Sequence, residues 1–184
     1  MVEFSEILDK DIIIFAHRCP RGVERLFNIS SLLADPRVKK HMLRKIQIDP
    51  SFALNCLQAA GIEAGRLCEL IFEEDSNEPV IYAQVDDEIL LVDGNHRYVA
   101  RTVKGYEWIY GKVLIPKIWK DHLITGFTSE QLDILIHGKN TSFSSLREEM
   151  ETHGGIEPRT VHPPLRTDLE DQWRGMGLTG LLYR

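Results

Sequence analysis

The chain has 184 residues, a net charge of −6, and 43% hydrophobic against 27% charged residues. That is the length of a single domain, 1–184, with an ordinary globular balance. The acidic sum argues against a general nucleic-acid coat but leaves room for a local basic groove.

The opening Met-Val-Glu-Phe-Ser-Glu is acidic and carries no basic leader. No run reaches the roughly 20 apolar residues of a membrane helix. Cys19, Cys56 and Cys68 are scattered, with no Cys-x-x-Cys pair. Neither a disulfide framework nor a zinc ribbon is expected, and a reduced, cytoplasmic setting is the simplest reading.

Residues 11–16 read as a strand, broken by the turn residues His17 to Gly22. Arg18 and Arg21 in that turn either face solvent or contact an anion. Residues 23–48 read as helical: Leu26, Ile29, Leu32 and Leu33 share a face, and Val38, Met42, Leu43 and Ile46 continue helical spacing after Asp35-Pro36. Arg37, Lys39, Lys40, Arg44 and Lys45 make this the most basic stretch, a solvated face or a polyanion contact. Residues 1–48 are thus expected to form a helical N-terminal extension.

Asp49-Pro50-Ser51 caps a further helix with Phe52, Leu54, Leu57 and Ala60 as its packing face and Gly61 at its end. Leu67, Leu70, Ile71 and Phe72 are expected to be buried, with Glu69 either exposed or a site carboxylate. Residues 79–84 and 89–92 are apolar strands flanking Asp86-Asp87-Glu88, and should pair as a hairpin. A helix follows through Lys104, with Gly105 at its C-terminal cap. Residues 106–115 form a strand that Pro116 stops. Beyond it, 121–184 is expected to hold short helices at 129–135 and 144–150, an extended stretch at 153–168, and a tail whose Trp173, Leu178, Leu181 and Leu182 can dock on the body or a partner.

The chemistry concentrates in Asp93-Gly94-Asn95-His96-Arg97, between the second hairpin strand and the helix. The first amides of a helix have no partner within it and carry a partial positive charge, which suits a phosphate. Gly94 lets a ligand approach the backbone, Arg97 offers a planar fork, and His96 titrates near neutral pH. Glu78 and Asp93 are carboxylates suited to Mg²⁺ or to orienting water. The bland alternatives are that Asp93 caps the helix, His96 is a core histidine and Arg97 pairs with Glu78. His122, His137, His153 and His162 match no zinc spacing.

The succession helix, loop, proline-led strand, acidic turn, strand, Gly-x-His-Arg and helix resembles the ParB/sulfiredoxin fold, an α+β fold with a small mixed sheet and surrounding helices. Its carrying motifs are Glu78-Pro79-Val80-Ile81 and Asp93-Gly94-Asn95-His96-Arg97. The resemblance spans roughly residues 49–115, in a core drawn at 49–120. It implies a nucleotide site at the turn, with Gly94, Asn95, His96 and Arg97 holding ATP or DNA phosphates, Arg18 and Arg21 as secondary contacts, His96, Arg97, Glu78 and Asp93 catalytic, and Mg²⁺ on Glu78 and Asp93. Asn95 stands where sulfiredoxins carry cysteine, which argues against sulfinic-acid repair. The broken 121–184 stretch supplies no clear helix-turn-helix, which argues against a partition role.

Within the family, the size and N-terminal piece are similar to plasmid fertility-inhibition factors, which block DNA transfer through a type IV secretion system. That likeness implies ATP hydrolysis, DNA cleavage, and a target among the coupling or relaxosome components. The alternative is a non-catalytic module that binds nucleotide or DNA and blocks a partner protein.

Overall fold

The computed structural model describes residues 1–3, 12–19, 22–57, 66–67, 69–73 and 76–128. The described chain is α+β, with two small sheets and a few short helices. It falls into two compact units: one takes residues 1–44, 79–93 and 111–128, the other 45–78 and 94–110. The expected helices at 129–135 and 144–150, the extended stretch and the tail lie outside the described residues.

In the first unit, β1 (Val2–Glu3), β2 (Ile14–Cys19), β3 (Gly22–Asn28) and β8 (Leu123–Thr125) form a sheet in the order β1-β8-β3-β2. This corrects the expectation of a helical 23–48 and of a turn at His17 to Gly22. The strand β2 continues through His17 and Arg18, and β3 pairs with it antiparallel from Gly22. Helical spacing misled because Leu26 and Phe27 are adjacent and both fully buried. A strand covered on both faces shows no alternation.

Helix begins only at α1 (Ile29–Ala34), where the Asn28 side chain accepts the Ser31 amide at 2.9 Å. Asp35 ends α1 and caps α2 (Pro36–Lys39), accepting the Arg37 amide at 2.7 Å with Pro36 in the first turn. Leu33, Met42 and Leu43, expected on the packing face, are exposed, whereas Leu32 and Val38 are buried.

The same unit holds the hairpin of β5 (Val80–Val85) and β6 (Glu88–Asp93), as expected. Asp86 makes its turn at φ 52°, a left-handed conformation that aspartate tolerates better than most residues. A register shift between Ile81 and Tyr82 leaves Asp93 opposite Ile81. Residues 111–114 of β7 (Trp108–Leu114) pair parallel with β5. Pro116 ends that strand and also opens α5 (Pro116–Trp119) at its first turn. Phe27, Leu32, Ile81, Val92, Leu114 and Trp119 pack into one core, with the Trp119 indole donating to Gln84 O at 2.8 Å. Burying one side chain the size of Phe27 contributes about 1.5–3 kcal/mol.

In the second unit, β4 (Arg44–Gln47) neighbours β7, and Ile48 N–H donates to Glu107 O at 2.9 Å. Then α3 (Pro50–Leu57) starts behind Asp49, whose carboxylate accepts the Ser51 amide at 2.9 Å. Among its described side chains Ala53 and Cys56 are buried and Phe52 is half-buried, while the burial of Leu54, Leu57 and Ala60, also expected on the packing face, lies outside what is described. Burial pushes the Cys56 thiol up to about 12, which keeps it neutral and inert.

Helix α4 (Asn95–Val103) packs on α3 and on the π-helical turn Glu69–Glu73. Leu67, Leu70 and Ile71 are buried there, while Glu69 is exposed and paired with Arg66 at 2.8 Å. Tyr98 locks α4 to the start of α3: its hydroxyl accepts the Asp49 amide at 2.8 Å and donates to Asp49 O at 3.2 Å. Burial, opposed by the bond to Asp49, pushes the Tyr98 phenol up to about 12. The expected glycine cap is present: Gly105 takes φ 74°, Gly105 N–H bonds Thr102 O and Tyr106 N–H bonds Arg101 O, each at 3.0 Å.

Candidate functional site

The turn singled out in the sequence is a left-handed glycine leading straight into a helix. Gly94 is the N-cap of α4, with φ 99° and ψ 24°. Side chains with a β-carbon rarely take that conformation. The cap is therefore Gly94 and not Asp93, which closes β6. Tyr98 N–H donates to Gly94 O at 2.9 Å, so the first helical bond closes on the glycine itself. Asn95, His96 and Arg97 form the first turn and are half-buried.

Arg97 Nη1 donates to Glu78 Oε2 at 3.2 Å. The two partners differ sharply in setting: the arginine side chain is 16% exposed and the glutamate 76%. Arg97 Nε is buried and meets no acceptor. One turn further along α4, Arg101 Nη2 donates to Ser76 O at 3.2 Å and to Asn77 Oδ1 at 3.1 Å. Two guanidiniums on one helix face thus engage Ser76, Asn77 and Glu78 in succession. Arg101 was missed in the sequence, although its i,i+4 spacing from Arg97 was a usable signal.

The structure therefore brings Gly94, Asn95, His96, Arg97 and Glu78 together within one unit. Arg18 stands on β2, and Arg21 lies outside the described residues. Among the described residues, no group of three or more His, Cys, Asp or Glu is placed to hold a metal ion.

A second polar cluster, in the first unit, was not legible in the sequence. His122 is 7% exposed and lies between Ser31 Oγ, 2.9 Å from Nδ1, and Asp35 Oδ2, 2.9 Å from Nε2. Arg37 grips Asp35 through Nε at 2.9 Å and Nη2 at 2.7 Å, and reaches Asp121 at 2.9 Å. The Arg37 side chain beside it holds the Asp35 carboxyl well below the usual carboxylate range, and the Arg37 amide and His122 act in the same direction. Asp35 and Asp121 in turn raise the guanidinium's affinity for its proton. An ionised Asp35 requires a donor, so in the neutral ring Nε2 carries the hydrogen and Nδ1 accepts from Ser31.

No protein-family model, curated protein or solved structure matches the chain. The described residues form an α+β arrangement with two small sheets. Among the described residues, no helix is long and apolar enough to cross a membrane.

Proposed function

We propose that this protein is a nucleotide-binding member of the ParB/sulfiredoxin-like proteins that hydrolyses ATP and cleaves DNA from one phosphate site. In the cell it acts in the cytoplasm as a plasmid fertility-inhibition factor, of the kind of the oncogenic suppression activity protein Osa. Its targets are DNA and the coupling or relaxosome components of a type IV secretion system.

One observation carries the reading: Gly94, at φ 99°, leads directly into α4 with the Arg97 guanidinium in the first turn. A helix start of this kind favours negative charge through its dipole. The 3.2 Å bond from Arg97 to the exposed Glu78 carboxylate is worth little, about 0–1 kcal/mol, and a phosphate can replace it. Arg97 then offsets the charge that builds on the phosphoryl oxygens, and Gly94 admits the phosphate close to the backbone. Asn95 donates to a phosphate oxygen, and His96 moves the proton.

Mg²⁺ takes one or two carboxylates together with waters and phosphate oxygens. Glu78, 76% exposed, fits that chemistry, and Asp93, the residue before Gly94, is the second carboxylate assigned to it. When bound, the ion supplies further neutralisation of phosphate charge.

The test is incubation of the full chain with ATP, Mg²⁺ and supercoiled plasmid, following phosphate release and nicking. Arg97→Ala should abolish both while circular dichroism is unchanged. Undiminished turnover in that variant rejects the proposal.

The Glu78–Arg97 ion pair favours a second reading, since it gives each group a structural partner. In that reading the turn grips nucleotide or DNA without chemistry, and the protein acts by blocking a partner. Saturable nucleotide binding with no product formed would select it.

A further inference from the structure

We propose that Tyr106, Trp108 and Tyr110 form a stacking surface for single-stranded nucleic acid, separate from the Gly94 turn. Trp108 and Tyr110 occupy alternate positions at the start of β7 and Tyr106 lies two residues before it; Tyr106, Trp108 and Tyr110 are 40%, 39% and 50% exposed. Ile109 between them is buried, so the strand's pleat turns Trp108 and Tyr110 outward together. The turn that ends α4 sets their register, because Tyr106 N–H is pinned to Arg101 O.

Folding does not require large aromatic rings in water, and two of these carry a cation. Lys45 Nζ lies 4.9 Å from the Trp108 ring centre, and Arg101 Cζ lies 4.7 Å from that of Tyr106. Rings interleaved with cations match a ligand that presents flat π-faces and phosphates by turns. Outward residues on a strand recur about every 6.6 Å, a spacing suited to bases splayed along an extended chain. A duplex hides its base faces inside the stack, so the single strand is the occupant. From Arg101 to Tyr110 the acidic residue is Glu107, outweighed by Arg101, Lys104 and neighbouring Lys45.

The experiment is fluorescence anisotropy of a labelled oligothymidylate titrated with the full chain, beside a hairpin duplex of equal length. Saturable binding of the single strand is expected. Trp108→Ala and Tyr110→Ala should each weaken it about tenfold with melting temperature and ATP turnover unchanged, whereas Trp108→Phe largely retains affinity. Lys45→Ala should reduce the salt slope by about 0.7. Should Trp108→Ala misfold, Tyr110→Ala decides. No binding by the native chain, native affinity retained in both alanine variants, or preference for the duplex overturns the proposal. It does not rest on the Gly94 turn: oligonucleotide affinity reads this surface, and ATP turnover reads that turn.

Discussion

Arg37 and Arg97 are the same side chain put to two uses. Arg37 holds a carboxylate that is 8% exposed through two nitrogens, and that carboxylate is also bonded to a buried histidine. Every partner is fixed by the others, so exchanging any one of them disturbs the rest. Arg97 bonds at 3.2 Å to a glutamate that is three-quarters in water. The first arrangement is a lock. The second pairs a half-buried cation with a partner in water, which under the proposed function a phosphate displaces. Exposure of the carboxylate, more than the presence of an ion pair, separates structure from readiness to bind.

The largest expected effect is on the Arg97 side of this contrast. Arg97→Ala should lower ATP turnover about 10²–10³-fold, as loss of one charge-stabilising donor does elsewhere, with unfolding free energy moved by less than about 1 kcal/mol. The reverse is expected of His122→Ala: turnover holds, while urea unfolding shows a loss of about 1–3 kcal/mol from the polar groups left unsatisfied.

A smaller effect should appear in acid. Asp35 binds its proton more weakly folded than unfolded, so its contribution is complete above the unfolded pKa of about 3.9 and vanishes as pH falls through the lower folded value. Melting temperature should therefore drop below about pH 4, and Asp35→Asn should flatten that limb; equal slopes would mean the lock is not ionic. Glu78→Gln should move stability least, by less than about 0.5 kcal/mol because its ion pair is solvated, while lowering Mg²⁺-dependent ATP turnover through loss of the proposed metal ligand.

The sequence revealed the hairpin because its signals agree: a proline-led apolar run, two aspartates, a second apolar run and then glycine. Gly105 was legible for the same reason, since few residues besides glycine suit that capping position. Strand β3 was not, because Leu26, Ile29 and Leu32 lie at helical intervals while the helix begins only at the last two. Strand β4, Arg-Lys-Ile-Gln, has almost no apolar pattern to read. Within the candidate site, the pairing of Arg97 with Glu78 was foreseeable as the bland alternative, and the partner of Arg101 was not. The His122–Asp35 contact joins residues 87 apart in sequence, and periodicity carries no information over that distance.

The two units also differ in their indoles. Trp119 is 3% exposed with its ring centre 5.6 Å from that of Phe27, whereas Trp108 sits 39% in solvent. Emission from an indole in hydrocarbon lies to the blue of one in water, so each unit carries an optical label of its own colour. With Trp173 replaced by phenylalanine, a single denaturant titration read at two wavelengths would trace both melts. Coincident curves would mark one cooperative body, and separated curves would mark two.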